Sequence, residues 1–314
     1  MESVTAFAPA TVSNVGCGFD VLGFALHEPG DEVTASFAPG SGVRIADIVG
    51  DHGRLPREAE RNTAGVAART LLDRIGERRG VTLTIRKGLP LSSGLGGSAA
   101  SAVAAAVAVD ALVGASLAAD ALMSCAFEGE RIGAGSAHGD NIAPAVYGGF
   151  VLVRVANPPD VVRLPVPAGL TAVVVHPELE IETARARALL GSQVPLADAI
   201  QQWANLGAFV DALHRSDFDL LSRALEDTIA EPRRAPLVPG LAAIKQAAAD
   251  AGALGCSLSG SGPSIFALCR DAAAAPAVAA AMEGAIGAHI GGAAQTYISP
   301  IAPHGARVVS TCAS

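Results

Sequence analysis

The sequence is short of charge, and no stretch of it is rich in lysine and arginine. Charged residues make up only 17% of the 314 residues, and the formal net charge is -8. A basic surface is what binds polyanions such as nucleic acids and anionic membranes. We therefore predict that the protein binds neither, and that any site for an anion is built locally.

Paired cysteines and long apolar segments are also missing. Five cysteines are scattered along the chain without C-x-x-C pairs or histidines at zinc spacing, which predicts reduced thiols. The N-terminus does not have the pattern of a signal peptide. The segment most similar to a membrane span, residues 99–123, is mostly alanine and contains Asp110 and Asp120. The sequence therefore predicts a cytoplasmic protein that does not cross a membrane.

Half of the residues are hydrophobic, and the length suits two domains of ordinary size. Predicted strands and helices are mixed without strict βα alternation, which favours an α+β fold. Proline-rich segments near Asn157 and Pro165 mark the most plausible boundary. We therefore predict one domain over residues 1–168 and a second over residues 169–314.

Three local predictions concern the first domain. A strand that begins at Val4 is expected to stop at Pro9. Strands over residues 33–37 and 43–48 are expected to pair with each other through the turn between them. The segment from residue 133, which contains His138, is expected to be a loop that leads into a strand at residue 150.

Residues 89–113 are the most informative segment, because a loop of small residues leads directly into a helix. The loop contains the glycines Gly94, Gly96 and Gly97 and the serines Ser92, Ser93 and Ser98. The first N–H groups of a helix lack intrahelical partners and carry partial positive charge, so an anion is stabilised there. The loop matches neither a Walker A motif nor a dinucleotide fingerprint. It predicts a phosphate site, and an ordinary glycine-rich turn remains the alternative.

Phosphoryl transfer also needs a divalent metal and a positioned acceptor. Ser98 and Glu130, on successive predicted helices, offer a hydroxyl and a carboxylate that suit Mg²⁺. Taken without other information, Glu130 is better read as a solvated charge beside Arg131. Arg187 and Arg234 lie next to turn signals, and guanidinium groups bind carboxylates bidentately. Most arginines are surface residues, so neither is decisive alone.

Two further segments have glycines beside polar side chains. Asn14 and Asp20 flank two glycines, where they could bind a ligand or only stabilise a turn. The second glycine motif, residues 259–262, precedes an apolar segment and could approach the first loop or the acceptor. Taken alone, it is an ordinary tight turn.

Three separated segments together resemble one family. Residues 90–100 (PLSSGLGGSAA) resemble the phosphate loop of the small-molecule kinases that include galactokinase, homoserine kinase, mevalonate kinase and phosphomevalonate kinase, the GHMP kinases. Residues 257–268 (SLSGSGPSIFAL) resemble the C-terminal glycine motif of that family. Residues 8–26 (APATVSNVGCGFDVLGFAL) resemble its homoserine kinase branch.

This resemblance implies an N-terminal domain like domain 2 of ribosomal protein S5 and a ferredoxin-like C-terminal domain, with the ligands between them. It implies ATP and Mg²⁺, and L-homoserine as the substrate that is phosphorylated on the way to threonine. It also suggests a homodimer. The alternatives are another alcohol kinase of the family and a nucleotide-binding relative without transferase activity.

The resemblance further implies the roles of individual residues. The substrate-binding residues would be Asn14, Asp20, His138, Thr183, Arg187 and Arg234. The ATP-binding residues would be Asn62, Pro90, Leu91, Ser92, Ser93, Gly94, Leu95, Gly96, Gly97, Ser98, Ala99 and Ala100. The second glycine motif would contribute Ser259, Gly260, Ser261 and Gly262. Mg²⁺ would be bound by Ser98 and Glu130, and the catalytic residues would be Asn141 and Lys87, with Lys87 near the phosphates.

Two positions depart from the pattern of the family. Gly97 stands where many relatives have a serine, so a backbone N–H must replace one phosphate-binding hydroxyl. Asn141 stands where mevalonate kinase has an aspartate base, and an amide cannot accept a proton as a base; the adjacent Asp140 is the alternative base. We therefore predict catalysis chiefly by positioning and electrostatics. The choice of Arg187 over Arg185, and of Arg234 over Arg233, rests on sequence register alone.

Overall fold

The computed structural model describes residues 2–133 and 139–312, which form two β-sheets packed against helices. The strands are β1 (Ser3–Ser13), β2 (Leu22–Ala38), β3 (Val43–Val49), β4 (Gly80–Arg86), β5 (Phe150–Val155), β6 (Asp160–Leu164), β7 (Thr171–Pro177), β8 (Gly255–Leu258), β9 (Ile265–Cys269), β10 (Ala294–Pro300) and β11 (Arg307–Cys312). The helices are α1 (Thr63–Ile75), α2 (Gly97–Val113), α3 (Ala119–Gly133), α4 (Gly139–Tyr147), α5 (Thr183–Ala188), α6 (Leu196–Arg215), α7 (Phe218–Ala224), α8 (Ala230–Arg234), α9 (Leu241–Asp250) and α10 (Ala275–His289).

The first sheet has the order β11-β1-β2-β4-β3, and β5 and β6 extend it from β2. Helix α2 lies against β1 and β2 and is covered by α1, α3 and α4. Its alanines and valines are buried on nearly every face, as expected for a central helix that is apolar all round. None of the helices in the described ranges is long and apolar enough to cross a membrane.

The second sheet is antiparallel, with the order β10-β7-β9-β8, and α9 and α10 pack on it. Four buried phenylalanines lie together where the two sheets meet, and the contact between Phe24 of β2 and Phe266 of β9 joins the sheets directly. Phe24 lies 4.9 Å from Phe150 and 5.8 Å from Phe266, and Phe150 lies 5.9 Å from Phe209, measured between ring centroids. The hydrophobic core is therefore continuous between the two halves of the chain.

Two predicted features of the first domain are wrong. Strand β1 continues through Pro9 to Ser13; β11 pairs only with residues 3–7 of it, so the missing N–H of Pro9 breaks no bond to that neighbour. The predicted pairing of residues 33–37 with 43–48 does not form either, because β4 lies between β2 and β3. Strand β3 instead runs parallel to β4.

Two further differences concern helix α4 and strand β11. The segment predicted to be a loop after residue 133 contains α4, so Asp140 and Asn141 lie in the first turn of a helix. The predicted boundary assigned every residue from 169 onwards to the second domain, whereas β11 returns to pair with β1 in the first sheet. The C-terminal residues 307–312 thus complete the first sheet.

Candidate active site

A cavity of about 710 Å³ lies between the two sheets, where both glycine motifs meet. The predicted site residues that line it are Asn14, Asp20, Asn62, Lys87, Pro90, Leu91, Ser92, Ser93, Gly94, Gly96, Gly97, Ser98, Glu130, Asn141, Thr183, Arg234, Gly260 and Ser261, together with Asp140. Leu95, Ala99 and Ala100 are buried, and Ser259 and Gly262 contact the loop from behind. His138 lies outside the described residues.

The first glycine loop presents the beginning of α2 to this cavity. Gly96 is the N-cap of α2 with φ 66°, and no side chain caps the helix there. Ser92 and Gly94 also have left-handed backbone angles, with φ of 54° and 78°. The first N–H groups of α2 are therefore available to an anion, which is the arrangement that suits phosphate.

The second glycine motif supports that loop from behind. The Ser259 hydroxyl donates to the Gly94 carbonyl at 2.7 Å, and the Ser264 N–H donates to the Ser93 carbonyl at 3.2 Å. A Cβ on Gly94 would lie 2.4 Å from the Ser259 carbonyl oxygen, so this close approach requires glycine. The second sheet thereby holds the loop built on the first.

Lys87 lies beneath the loop. Its ammonium group donates to the Gly97 carbonyl at 2.7 Å and to the Ser101 hydroxyl at 2.8 Å, and it forms an ion pair with Asp31. The Lys87 side chain is only 2% exposed. Neither Asp31 nor Ser101 was predicted to take part, since nothing in the sequence distinguishes an aspartate within a strand from a surface residue.

At the acceptor side of the cavity, the lining residue Asp20 forms an ion pair with Arg187 of the other half of the chain, which is not itself a lining residue. Arg187 donates to one oxygen of Asp20 through both terminal nitrogens, at 2.7 and 2.6 Å. Asn14 supports this arrangement, because its Oδ1 accepts from the Asp20 N–H at 3.0 Å and its Nδ2 donates to the Gly260 carbonyl at 2.9 Å. Asn14 thus has the turn-stabilising role that the sequence left open, and it also lines the cavity.

Arg234 approaches the same region from α8. It is buried, and its Nη1 donates to the Gly260 carbonyl at 2.9 Å. Its Nε makes no hydrogen bond within the part of the chain that the structure describes. Burial lowers the pKa of this guanidinium, and the nearby Asp20 carboxylate opposes the shift. Arg234 therefore retains a buried donor for a ligand with negative charge.

Phe19 lies close to both arginines and was missed from the sequence. The guanidinium carbons of Arg187 and Arg234 lie 5.5 and 5.2 Å from its ring centroid, within cation–π range. Arg185 is exposed, and Arg233 donates to backbone carbonyls of residues 190 and 193. The arginines that face Phe19 are thus the two favoured by sequence register.

The residues predicted to contact the nucleoside and the metal also line the cavity. Asn62 caps α1, with its Oδ1 accepting from the Ala64 N–H at 3.0 Å. Glu130 is 3% exposed and shares the cavity with Ser98. No cluster of three or more histidine, cysteine or acidic residues suited to a metal occurs in the described ranges. One carboxylate and one hydroxyl nevertheless fit Mg²⁺, which takes few protein ligands when phosphates complete its shell.

Asn141 lies against Gly96 of the glycine loop, and Thr11, which was not predicted from the sequence, holds it. The Thr11 hydroxyl donates to Asn141 Oδ1 at 2.9 Å. Thr11 is fully buried. The PAT sequence that contains Thr11 was noted only as part of a motif, since a buried threonine in a strand normally signals packing.

Known proteins are similar to this chain over nearly its whole length. Residues 62–149 match the model for the GHMP kinases N terminal domain, and residues 209–293 match that for the GHMP kinases C terminal. The chain is 47% identical to a homoserine kinase of Chlorobaculum tepidum over 99% of both proteins. It is 44% identical to one of Xanthomonas campestris, covering 99% of this chain and 95% of that protein.

A solved structure is also similar to this chain in both sequence and fold. The crystal structure of homoserine kinase from Cytophaga hutchinsonii superposes with a TM-score of 0.95 at 48% identity and covers 98% of each chain. The fold and the glycine loop thus define a two-domain small-molecule kinase. The chain belongs to the GHMP kinase family, in its homoserine kinase branch.

Proposed function

We propose that the protein transfers the γ-phosphoryl group of ATP to the side-chain hydroxyl of L-homoserine, which gives ADP and O-phospho-L-homoserine. The single observation that carries this proposal is one cavity that is lined by both the uncapped N-terminus of α2 and Arg234, with Arg187 held beside it on the lining residue Asp20. The first feature suits the phosphates of a nucleotide, and the second suits the carboxylate of an amino acid.

The chain's own residues orient the two substrates. The N–H groups at the start of α2 bind the phosphates, and Arg187 and Arg234 bind the L-homoserine carboxylate. Asp20 binds its ammonium group, and Asn141 holds its hydroxyl in line with the γ-phosphorus. The hydroxyl oxygen forms a bond to phosphorus as the bond to the β-phosphate oxygen breaks, and the hydroxyl proton is released.

Ser98 and Glu130 would bind Mg²⁺ together with the phosphates. With the metal bound there, negative charge on the phosphoryl oxygens is partly neutralised. A loose transition state requires little assistance from a base, which is compatible with an amide at position 141. Separate replacement of Asn141 and Asp140 tests this: a far larger loss of kcat from Asp140→Asn than from Asn141→Ala, at equal stability, would make Asp140 the base.

The remaining parts of the proposal concern the pathway, the cell compartment and the oligomeric state. The product lies on the route to threonine, and the enzyme works in the cytoplasm as a homodimer. All five cysteines are free thiols in the structure, which is compatible with a reducing compartment. Light scattering of the purified protein measures its mass and tests the dimer.

A coupled assay of ADP formation tests the proposed activity. The acceptors are L-homoserine, L-serine, L-threonine, mevalonate and galactose, each with saturating Mg-ATP. We expect turnover with L-homoserine and little with the others. The hydroxyl of L-serine and L-threonine is one carbon nearer the charged groups, mevalonate lacks an ammonium group, and galactose lacks both charged groups. Comparable turnover with mevalonate would favour another kinase of the family, and no ADP with any acceptor would favour a binding protein.

A further inference from the structure

We propose that Thr11 is a positioning residue for phosphoryl transfer, because its hydroxyl holds the Asn141 amide in place. The inference rests on the proposed function, in which Asn141 holds the acceptor hydroxyl. Thr11 Oγ1 donates to Asn141 Oδ1 at 2.9 Å from a fully buried position near the end of β1. Asn141 itself lines the cavity.

The chemistry of an amide explains why its orientation matters. The two ends of an asparagine amide have nearly the same shape, but one end only accepts hydrogen bonds and the other only donates them. With Oδ1 accepting from Thr11, Nδ2 is the end that remains to donate to a ligand. Nδ2 can donate to one lone pair of the acceptor hydroxyl oxygen, and a second lone pair of that oxygen stays directed at phosphorus.

Strand β2 and the glycine loop hold Thr11 in place. The register of β1 against β2 shifts between Pro9 and Thr11, and such an irregularity redirects the side chains that follow it. The Thr11 N–H then donates to the Leu95 carbonyl at 3.1 Å, which attaches the end of β1 to the glycine loop. The hydroxyl is therefore fixed relative to the phosphate site.

Gly96 makes room for the bond between Thr11 and Asn141. A Cβ at position 96 would lie 2.1 Å from Thr11 Oγ1 and 2.8 Å from Asn141 Oδ1. The hydrogen bond thus passes through the space that a side chain at the N-cap of α2 would fill. This contact places the amide that holds the acceptor directly against the loop that holds the phosphates.

The variant Thr11→Val tests the role, because valine keeps the shape of threonine and removes the donor. Thr11→Ser is the matched control that keeps the hydroxyl. We expect Thr11→Val to lower kcat by about tenfold, the factor that corresponds to one neutral hydrogen bond. The KM values for ATP and L-homoserine should stay close to wild type in both variants, and Thr11→Ser should retain most of the kcat.

A double-variant cycle separates this role from simple packing. In an Asn141→Ala background, Thr11→Val should lower kcat no further, because the amide on which Thr11 acts is gone. If the Thr11→Val variant does not fold, Thr11→Ala takes its place. Thr11→Ala lacks the hydroxyl and Thr11→Ser keeps it, so the two variants can be compared in the same way. Thermal unfolding of each variant establishes that the compared proteins are folded.

The outcomes distinguish this inference from the proposed function. Wild-type protein without activity towards L-homoserine would overturn the proposed function and the role of Thr11 with it. In an active wild type, equal kcat for Thr11→Val and Thr11→Ser would overturn the role of Thr11 alone. An unchanged effect of Thr11→Val in the Asn141→Ala background would overturn it as well, because the hydroxyl would then act without the amide.

Discussion

Arg187 places both terminal nitrogens of its guanidinium on a single oxygen of Asp20, at 2.7 and 2.6 Å, and so connects the two halves of the chain across the acceptor site. Each side chain remains 35% exposed. In the proposed complex, the substrate carboxylate binds Arg187 and the substrate ammonium binds Asp20. A zwitterionic substrate therefore exchanges the ion pair between Arg187 and Asp20 for two ion pairs with the substrate. A neutral sugar has no charged group to pair with either residue.

Arg187→Ala should raise the KM for L-homoserine much more than the KM for ATP. A charged hydrogen bond contributes about 1.5–3 kcal/mol, so we expect an increase of roughly 10- to 150-fold in the KM for L-homoserine. Arg185→Ala is the matched control, since Arg185 is exposed two residues earlier on α5. Steady-state kinetics with each substrate varied in turn measures both values. Equal increases for ATP and L-homoserine would contradict a role in binding the carboxylate.

Ser98→Ala and Glu130→Gln should each raise the Mg²⁺ concentration needed for half-maximal turnover. Both side chains line the cavity, and each replacement removes a ligand of the kind that Mg²⁺ prefers. We expect kcat at saturating metal to fall by about tenfold or more, with the fold intact by circular dichroism. Glu128→Gln is the control, because Glu128 lies on the same helix and pairs with Arg131 on its surface. Unchanged metal dependence in Ser98→Ala would remove Ser98 from the metal site.

The residues expected to contact ligands were predicted from the sequence more fully than the residues that hold them in place. The glycine loop, the arginines and the pair of Ser98 and Glu130 were found because their residue types are unusual at those positions or match a family motif. Thr11, Phe19 and Asp31 were missed, because a threonine, a phenylalanine and an aspartate in or beside strands are ordinary. Only the fold brings them to Asn141, to the two arginines and to Lys87.

The fold class was also predictable from the sequence, but the pairing of its strands was not. The α+β class and two glycine motifs follow from local composition and periodicity. The insertion of β4 between β2 and β3, and the return of β11 to β1, depend on contacts between residues distant in sequence. The helical start of α4 was missed for a local reason, since Gly139 and Pro144 in that segment are typical of a loop.

Gly97→Ser should lower the KM for ATP, because it adds a hydroxyl at the start of α2, beside the proposed phosphate site. A Cβ at Gly97 would lie 3.5 Å from Lys87 Nζ and 3.6 Å from Leu89 Cβ, which are ordinary contacts. We expect a decrease of roughly threefold for one exposed hydrogen bond. Gly97→Ala is the control for the gain in helix propensity. An equal KM for the serine and alanine variants would show that the hydroxyl does not reach a phosphate.

A side chain at the neighbouring Gly96 should instead reduce stability and turnover. Gly96 has φ 66°, and a Cβ there would lie 2.1 Å from Thr11 Oγ1. Gly96→Ala should therefore strain the backbone and displace the Thr11 side chain, with loss of both stability and turnover. Thermal unfolding together with kcat measures the two effects. Wild-type values for Gly96→Ala would show that the loop has more freedom than its contacts indicate.

Asp31→Asn should destabilise the protein strongly, because it leaves the Lys87 ammonium buried without its counter-charge. The two side chains are 0% and 2% exposed, and removal of one partner from a buried ion pair costs about 3–5 kcal/mol. Urea unfolding at constant pH measures the free energy. Glu32→Gln is the control: Glu32 is the next residue of β2 and makes only an exposed pair with Arg86 at 3.8 Å, so we expect little change.

The double variant Asp31→Asn with Lys87→Met decides whether the unpaired charge is the cause. Removing the ammonium eliminates the charge that Asp31→Asn leaves uncompensated, so the double variant should lose less stability than the two single losses added together. It should still lose turnover, because the Gly97 carbonyl no longer receives the Lys87 donor that holds the start of α2. Strictly additive losses would instead assign the cost of Asp31→Asn to its bonds with Gly88 and Ser101.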